Sequence, residues 1–530
     1  MSIESKNDQV RTTSEQREIE RKYDIPEGAG EPELSKLGAG LRAGEPVTET
    51  LVAEYVDTPE LAILDARCVL RRRTGGDDEG WHLKRPRSGD ERIEVHAPVG
   101  APRRIPPELR AEFADIIGER PVLPLVELTT TRTTTEVRGG GAWSAGGARD
   151  DDDALAALIC DDVVHARVVR IGEERTLEWR EFEVELADGA SIRVFDEIEA
   201  VLFDAGLTPS IHRSKLVRSL DGVQPAQAPT GQGTAGDAVV FAIASRFGEF
   251  QEQEAAARID APDAVHQARV ALRRLRSLLK VFGALFEADA VASLAGELKW
   301  AGGVLGAPRD AEVLRELVLA ELDSAGHLEA GAGAVDVARA RIEALIGDRH
   351  AATLASFRTE LDGERWDALH DSLVSFVTAP PFAGLADRRA LGTMRSLTRT
   401  AIATVEKRTE RARKKPKKLE RWHDVRKAAK SVRYGYEAID ELPDATAKKQ
   451  RKEWKRLAQA FGELQDSSML DEELGVLSEQ LGQSAQEEER GETGAEDRDA
   501  VAVLGELRTR IRARQNDALR VARDALDDLA

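Results

Sequence analysis

The first part of the chain alternates polar and apolar residues with a period of two. Successive side chains of a β-strand point to opposite faces, so this alternation predicts strands that are covered on one side. Gly, Pro and Asp separate the alternating segments, as they do at turns. We therefore predict a β-rich domain over residues 14–220, built from segments such as REIERKYDI, VLRRR, WHLKRP, RIEVHAPV and REFEVELADG.

The pattern changes after residue 220. Residues 221–236 begin DGVQPAQAPTGQG and contain almost no large apolar residue, which is typical of a flexible linker. From residue 237 to 530 the apolar residues recur at spacings of three and four, which indicates α-helices. The predicted fold class is therefore multidomain α+β, with an N-terminal antiparallel β-domain followed by an all-α domain.

The helical part also contains an internal repeat. HQARVALRRLRS, which starts at His266, aligns with HDVRKAAKSVRY, which starts at His423. Further along, LKWAGGVLGAPRD from Leu298 aligns with WKRLAQAFGELQD from Trp454. The two offsets, 157 and 156 residues, are nearly equal. Equal offsets at separate places predict a duplicated helical bundle with pseudo-twofold symmetry.

Composition narrows the function classes. The 530 residues carry a formal net charge of -20, which argues against general nucleic-acid binding because proteins that neutralise phosphates along a duplex carry a basic excess. No apolar run approaches the ~20 residues of a membrane-spanning helix, and the N-terminus lacks a signal-peptide pattern. The expected location is the cytoplasm. Cys68 and Cys160 are too few for a disulfide framework or a Cys-rich zinc site.

Charged residues share one face on strand after strand. In the opening strand, Glu18, Glu20 and Lys22 have the same parity. An ordinary solvent-exposed strand face is one explanation, and a closed barrel with a wet, charged lumen is another. A lumen with both signs would suit a metal-bound polyphosphate, because carboxylates bind Mg²⁺ and Arg or Lys binds phosphate oxygens. The other strands with such a face carry Arg71 and Arg73, His82 and Lys84, Arg92 and Glu94, and Glu181, Glu183 and Glu185.

The motif Glu18-Ile19-Glu20-Arg21-Lys22 resembles the ExExK signature of the CYTH superfamily, the triphosphate tunnel metalloenzymes. That superfamily includes thiamine triphosphatases, class IV adenylate cyclases and inorganic triphosphatases. Further motifs follow in the family's order: YVDTP, LRRR, WHLK, RIE, EFEVE and RSKLVRSL. The resemblance covers nearly all of residues 14–220 and implies an antiparallel β-barrel that forms a tunnel.

The resemblance also implies roles for individual residues. Mg²⁺ or Mn²⁺ is the implied cofactor. Which two of Glu181, Glu183 and Glu185 lie closest to it stays open. At Glu94 and Asp162 the match to the family's pattern is weaker than at the other charged positions. The implied metal ligands are Glu18, Glu20, Glu181, Glu183 and Glu185; the implied catalytic residues are Glu18, Glu20, Lys22 and Lys84; and the implied substrate-binding residues are Arg71, Arg73, Arg132 and Lys215.

Tyr55, Asp57 and Thr58 belong to the YVDTP motif, and we interpret them as structural. Asp and Thr side chains commonly accept hydrogen bonds from nearby backbone amides in turns. We therefore expect this motif to form a turn rather than a part of the charged site.

Each helical repeat carries a basic stripe. The stripe residues are His266, Arg269, Arg273, Arg276 and Lys280 in the first repeat, and His423, Arg426, Lys430 and Arg433 in the second. At ~100° per residue these positions span less than a quarter of the helix circumference. A solvated helix face or a histidine metal site are alternatives. The duplicated stripes resemble the CHAD domain, a family associated with inorganic polyphosphate, although Glu437 stands where a counterpart of Lys280 is expected.

Three functional hypotheses follow. The first is metal-dependent hydrolysis of inorganic triphosphate or short polyphosphate in the tunnel, with polyphosphate bound by the helical domain. The second is a non-catalytic polyphosphate-docking protein. The third is a tunnel that acts on an organic triphosphate, as thiamine triphosphatases and class IV adenylate cyclases do. We expect the protein to associate with polyphosphate granules and not with a membrane. The sequence leaves the oligomeric state open.

Overall fold

The computed structural model separates the chain into two compact units, residues 1–227 and 228–530. The boundary falls inside the predicted linker. The residues that the structure describes are 13–38, 40–76, 78–88, 91–100, 104–140, 143, 153–170, 173–223, 225–259, 261–324, 332–487 and 492–528.

The first unit is an antiparallel sheet that closes on itself. Its neighbouring strands follow the order β10-β1-β6-β5-β4-β3-β7-β8-β9, and β9 pairs again with β1. The short β2 and β10 lie outside the eight-stranded ring, and the predicted β-barrel is confirmed. The strands are β1 Ser14–Asp24, β2 Arg42–Ala43, β3 Val47–Asp57, β4 Val69–Thr74, β5 Gly80–Ser88, β6 Glu91–Ala97, β7 Leu123–Gly139, β8 Ala154–Arg170, β9 Glu173–Leu186 and β10 Thr208–Pro209.

Strand β1 closes the ring because it is shared between two neighbours. Its first half pairs with β6, where Glu18 faces Arg92, and its second half pairs with β9, where Glu20 faces Glu185. A closed sheet has no free edge, so every strand has one face toward the lumen and one toward the outside. The side chains that alternate along each strand in the sequence therefore point alternately into the lumen and to the exterior of the barrel.

Apolar side chains cover the outer face of the barrel. Phe195 and Ile198 of α4 pack on Phe182 and Val184 of β9. On another side, Leu109, Phe113 and Ile117 lie in one apolar cluster with Trp81 and Leu83 of β5. The helices of this unit are α1 Ala62–Asp65, α2 Pro107–Ala111, α3 Ala114–Ile117, α4 Arg193–Asp204 and α5 Lys215–Ser219.

Part of the lumen is also apolar. Leu216 and Leu220, in and just after α5, pack with Leu128 of β7 and Val164 of β8 in one buried cluster. Leu128 and Val164 have the same parity as the lumen residues Arg132 and Asp162 of their strands. Helix α5 therefore anchors an apolar plug, and the charged cavity occupies the remaining lumen.

The YVDTP motif forms the predicted turn. Asp57 is buried and its carboxylate accepts hydrogen bonds from the backbone amides of Thr58, Ile63 and Leu64, at 2.6 to 2.9 Å. The hydroxyl of Thr58 accepts one from the amide of Ala62 at 3.1 Å. The structural role predicted for Asp57 and Thr58 is confirmed.

In the second unit the described regular elements are helices joined by loops and two isolated β-bridges, so the predicted all-α class is confirmed. None of the helices in the described residues is long and apolar enough to cross a membrane. The helices are α6 Ala235–Arg258, α7 Ala264–Phe282, α8 Ala288–Val304, α9 Gly306–Ser324, α10 Ala332–Leu361, α11 Glu364–Thr378, α12 Ala390–Arg413, α13 Leu419–Asp440, α14 Lys448–Ala460, α15 Gly462–Glu487 and α16 Glu492–Asp527.

The helix boundaries repeat in the way that the sequence offsets predict. Helices α6 and α12 both have 24 residues, and α7 and α13 carry the two aligned motifs. The starts of α6 and α12 lie side by side: the amide of Ala235 donates to the carbonyl of Arg388 at 2.7 Å, and the amide of Ala390 donates to the carbonyl of Gly233 at 2.9 Å. Such reciprocal contacts between equivalent positions are what a twofold relation between repeats produces.

The end of the predicted linker is bonded to the helical unit. The amide of Gly231 donates to the Asp444 carboxylate at 2.6 Å, and Thr234 forms a β-bridge with Arg389. The flexibility of residues 221–236 stays a prediction. These contacts hold the end of the segment, so the part that could be flexible is shorter than the composition suggests.

Candidate functional site

The barrel encloses a charged cavity of about 910 Å³. Both signs of charge line it, and the charged residues come from β1, β3, β4, β5, β6, β7, β9, α5 and the segments before β3 and β5. The predicted residues that line the cavity are Glu18, Glu20, Lys22, Arg71, Arg73, Lys84, Glu94, Arg132, Glu183, Glu185 and Lys215.

Carboxylates gather where β1 meets β9. Glu20 faces Glu185 directly across the strand pair, and Lys22 faces Glu183. Glu18 lies two residues earlier on the same face of β1 and is buried. We call Glu18, Glu20 and Glu185 the acidic wall. Carboxylates this close repel one another unless a cation lies between them.

The pKa values in the acidic wall reflect this crowding. Burial, together with the charges of Glu20, Glu94 and Glu185, raises the pKa of Glu18 to about 7 despite the opposing effect of Lys84. Burial also acts on Glu20, but Lys22 and Lys84 outweigh it and lower the pKa of Glu20 to about 2. Burial raises the pKa of Glu185 as well.

The acidic wall fits a hard divalent cation. One carboxylate oxygen of Glu18, Oε2, is buried and has no hydrogen-bond partner, while Oε1 accepts a bond from Lys84 at 2.5 Å. Buried polar atoms without a partner are rare and call for a ligand or an ion. Oxygen atoms from several carboxylates are the ligand set that Mg²⁺ and Mn²⁺ prefer.

A basic wall lies beside the acidic one. We give this name to Arg71 and Arg73 of β4, Lys84 of β5 and Arg132 of β7. Burial and the neighbouring Arg71 and Arg132 lower the pKa of Arg73, so the guanidinium groups destabilise one another. An anion among them would relieve this repulsion, and phosphate oxygens are the acceptors that guanidinium groups bind best.

Lys215 organises the cavity next to the apolar plug. Its ammonium group lies 2.8 Å from Asp162 and 3.0 Å from Glu181, and it also donates to Glu183. Arg132 donates two hydrogen bonds to Asp162, at 2.8 and 2.6 Å, and one to Glu183 at 2.5 Å. The carboxylates of Asp162, Glu181 and Glu183 could hold a metal ion by their spacing, but Lys215 already lies among them.

This arrangement separates the three carboxylates of β9, which the sequence could not distinguish. Glu181 is buried, accepts a hydrogen bond from the Trp179 indole at 2.7 Å and is not among the cavity-lining residues. Glu183 is held by Lys22, Arg132 and Lys215. Glu185 lines the cavity opposite Glu20. The geometry therefore favours Glu185 over Glu181 as a metal ligand.

Some cavity residues were not predicted as parts of the site. Tyr55, which we had interpreted as structural, is buried and lines the cavity beside Arg71. Arg92 lines it too, with its guanidinium 3.8 Å from Glu20. His96 lies opposite His82 across β5 and β6. Strand parity was the signal available in the sequence, since Tyr55 has the same parity as Glu49 on β3 and Arg92 shares a face with Glu94.

In the helical unit the two basic stripes meet. The Arg273 guanidinium donates to the Tyr434 hydroxyl at 3.3 Å, and Lys280 donates to the Ser431 hydroxyl at 3.4 Å, so each links α7 to α13. Arg276 and Lys280 are exposed at the far end of their stripe. The other stripe residues, His266, Arg269, Arg273, His423, Arg426, Lys430 and Arg433, are all half-buried.

The second stripe lines a groove of about 530 Å³. Arg426, Lys430 and Arg433 contribute its basic side, and Glu463 and Asp466 lie across from them. Burial and the charges of Arg426, Arg273 and Arg433 lower the pKa of Lys430 to about 7. Such crowding of cations is stabilised when an anion binds.

Glu437 ends the second stripe for a structural reason. Its carboxylate lies 3.7 Å from Arg433 and 3.5 Å from Arg274, which in turn donates to Glu249 at 2.8 Å. The residue therefore joins an ion-pair network between α6, α7 and α13. A lysine there would face two guanidinium groups.

Comparisons with known proteins match the two units separately. The CYTH domain model matches residues 16–219, and the CHAD domain model matches residues 241–475. The uncharacterized protein Rv2226 of Mycobacterium tuberculosis is 32% identical over 442 residues, which cover 79% of this chain and 81% of that protein.

Two solved structures resemble parts of the chain. The CHAD domain from the plant Ricinus communis has a TM-score of 0.43 at 23% identity, covering 57% of this chain and 94% of that one. A putative adenylate cyclase from Bacillus halodurans has a TM-score of 0.25 at 16% identity, covering 38% of this chain and 97% of that one.

Proposed function

The chain belongs to the family of proteins that join a CYTH domain to a CHAD domain, and on this premise we propose that it hydrolyses inorganic triphosphate or short polyphosphate. Members of the CYTH family are triphosphate tunnel enzymes, which supports catalysis in the barrel. One observation carries the proposal: a cavity of about 910 Å³ has carboxylates on one side and guanidinium and ammonium groups on another. This is the pairing of charges that a metal-bound phosphate chain requires.

Each wall has a distinct task in the proposed reaction. Arg71, Arg73 and Arg132 would bind the terminal phosphates and spread their negative charge. Glu18, Glu20 and Glu185 would hold Mg²⁺ or Mn²⁺, which polarises the phosphoryl group and neutralises charge as it develops. Lys84 is the member of the basic wall that contacts the acidic wall, at 2.5 Å from Glu18, and it would contact the phosphoryl group that is transferred.

The proposed chemistry needs no covalent intermediate. A water molecule that is hydrogen-bonded to a lumen carboxylate attacks the terminal phosphorus in line and gives its proton to that carboxylate. The bond to the bridging oxygen breaks, and its electron pair stays on the oxygen of the departing chain. The products are orthophosphate and a chain shortened by one phosphate. Lys22 and Lys215 hold Glu183, which keeps Arg132 in place toward the phosphate.

The helical unit would bind longer polyphosphate. Its two stripes bring Arg273, Arg426 and Arg433 close enough to Lys430 to lower the pKa of that lysine. Arg426, Lys430 and Arg433 also line one groove. A flexible polyanion would bind there mostly through charge, with strong salt dependence. Such binding would bring the protein to polyphosphate granules.

A substrate panel tests the proposal. Inorganic triphosphate, thiamine triphosphate, ATP and longer polyphosphate are each incubated with the full chain and Mg²⁺ or Mn²⁺, and released orthophosphate is measured. The proposal is supported if more orthophosphate is released from inorganic triphosphate than from thiamine triphosphate or ATP. Cyclic AMP formation from ATP would instead identify a cyclase. Tight polymer binding with no release from any substrate would identify a docking protein.

A further inference from the structure

Three metal-binding side chains meet at the cavity, apart from the acidic wall. They are Asp78, His82 and His96, and one donor atom of each lies within 4.8 Å of the others. All three line the barrel cavity. Neither the proposed hydrolysis nor the motifs of the sequence assign a role to this group of two imidazoles and one carboxylate.

The strand register builds this group. His82 of β5 and His96 of β6 are directly paired across the two strands, and their rings lie 4.9 Å apart. Asp78 comes from the turn just before β5, which begins at Gly80. A Cβ atom on residue 80 would lie 2.3 Å from Nε2 of His96, so only glycine leaves room for this imidazole.

Glu94 orients the buried histidine. The Nδ1 atom of His82 lies 2.7 Å from the Glu94 carboxylate, which can only accept, so Nδ1 carries the proton. In a neutral imidazole Nε2 then has a lone pair and no proton. This atom points to the turn, 3.2 Å from the carbonyl oxygen of Asp78 and 3.8 Å from its carboxylate. The carbonyl oxygen can only accept, so this contact is favourable when a proton or a metal cation lies between the two atoms. The same holds for Nε2 of His96, which lies 3.2 Å from the carbonyl oxygen of Glu79.

We propose that Asp78, His82 and His96 bind a divalent transition-metal ion, of the kind represented by Zn²⁺ and Co²⁺. Imidazole nitrogen ligands favour such ions over Mg²⁺, whereas the all-oxygen acidic wall favours Mg²⁺. The chain Glu94–His82–ion follows the usual pattern in which a metal-bound histidine donates its other N–H to a carboxylate. The site has three protein ligands, so water or a phosphate oxygen completes the coordination.

The distances allow this site with small movements. The Asp78 carboxylate lies 3.8 Å from Nε2 of His82 and 4.0 Å from Nε2 of His96. Ligand atoms at about 2.1 Å from a tetrahedral ion are about 3.4 Å apart. The two gaps to Asp78 must therefore shorten by less than about 1 Å, and the Asp78 side chain can move because it is 57% exposed. The donor atoms of His82 and His96 start within 4.8 Å of each other.

Binding at this site would affect Arg73. The Asp78 carboxylate now accepts a hydrogen bond from Arg73 at 3.0 Å. An ion that takes this carboxylate releases the Arg73 guanidinium toward the cavity, where the proposed function assigns it to phosphate. This second step rests on the proposed function, whereas the metal site itself does not.

Cobalt provides a direct test. The metal-free full chain is titrated with Co²⁺, and the visible absorption of the bound ion is followed, with Zn²⁺ added afterwards as competitor. We expect one bound ion with nitrogen ligation that Zn²⁺ displaces. His96→Ala and Asp78→Asn should each weaken Co²⁺ binding by about tenfold or more, because loss of even a hydrogen-bond partner of a metal ligand costs about 10–100-fold in affinity. His165→Ala, which removes an exposed histidine on β8, should leave it unchanged.

The proposal fails if the wild-type chain shows no nitrogen-ligated Co²⁺, or if His96→Ala and Asp78→Asn bind Co²⁺ as the wild type does. Thermal melting of both variants checks that the barrel folds. Glu20→Gln separates this site from the proposed hydrolysis, because it should retain Co²⁺ binding while losing turnover. A chain that binds Co²⁺ at these residues but hydrolyses no triphosphate would keep the metal site and refute only the proposed function.

Discussion

The ammonium group of Lys215 lies 2.8 Å from the carboxylate of Asp162 inside the barrel, where both are buried. Helix α5 supplies Lys215 and β8 supplies Asp162, so this ion pair fixes the helix that carries the apolar plug. The contact therefore serves structure first, and it sets the position of Glu183 and Arg132 in the cavity.

Lys215→Met should destabilise the barrel strongly. The substitution leaves the buried carboxylates of Asp162, Glu181 and Glu183 without their shared cation, a loss that costs about 3–5 kcal/mol for a buried pair. Differential scanning calorimetry of the full chain should show a lower melting temperature for one transition. Lys36→Met, at an exposed lysine, serves as the control and should melt like the wild type. Equal melting temperatures for both variants would contradict the structural role.

Glu20→Gln should reduce phosphate release from triphosphate by about 10²–10³-fold, as removal of one electrostatic contact to a transition state does. The amide keeps the shape of the side chain but loses the charge that faces Glu185 and the proposed metal ion. The matched control is Glu178→Gln, an exposed carboxylate on the outer face of β9. Turnover at the wild-type rate in Glu20→Gln would show that the acidic wall is not catalytic.

Asp57→Ala should lower the stability of the barrel by at least about 2 kcal/mol, because three backbone amides lose their acceptor in a buried turn. Thr58→Ala loses a single acceptor and should cost about 1 kcal/mol. The two melting temperatures, measured side by side, give the ranking. The reverse ranking would mean that the Asp57 carboxylate does not hold the turn.

The double variant Arg273→Ala with Lys430→Ala should weaken binding of long-chain polyphosphate and reduce its salt dependence. Fewer cations contact the polymer, so fewer counterions are released on binding. The control double variant, Arg339→Ala with Arg349→Ala, removes the same charge from α10, where carboxylates engage both side chains. Binding curves are measured at several salt concentrations. Identical curves for the two double variants would reject the stripes as the binding surface.

Polyphosphate binding should weaken as the pH rises through about 7. Burial and its cationic neighbours lower the pKa of Lys430 to about 7, so the ammonium form is present below that pH and is lost above it. The anion binds the charged form, so affinity falls as the proton leaves. In Lys430→Arg the side chain stays charged, and the affinity profile between about pH 6 and 8 should flatten. A profile that stays the same in this variant would exclude Lys430 as the titrating group.

Strand parity predicted much of the barrel site. Glu18, Glu20 and Lys22 point into the lumen because period two fixes the face of a strand, whatever its neighbours are. Depth along the barrel axis is a different quantity, and parity does not report it. Glu181 shares the parity of Glu185, yet it lies next to the plug and contacts Trp179 and Lys215. Only the packing of α5 distinguishes the two.

Tyr55 illustrates a second limit. Its motif YVDTP contains a strand end and a turn, and β3 ends only at Asp57. Tyr55 therefore still points into the cavity, whereas Asp57 and Thr58 hold backbone amides. The composition of a turn does not show at which residue the strand before it ends.

In the helical unit, the repeat offsets predicted that the basic stripes are equivalent but not that they meet. Arg273 and Lys430 come together because α7 packs on α13, and Tyr434 and Ser431 of α13 bind the ends of side chains from α7. Which helices pack together depends on the tertiary fold, and helical periodicity does not encode it.

The closure of the barrel by β1 has a consequence for synthesis on the ribosome. Strand β1 is complete at residue 24 and pairs along about half its length with β9, which is complete only at residue 186. A nascent chain that ends before β9 can join β1 to β6 but leaves the other half of β1 open. The carboxylates of Glu20 and Glu185 therefore come together only when β9 pairs with β1, and a fragment that ends before β9 cannot close the ring around the charged cavity.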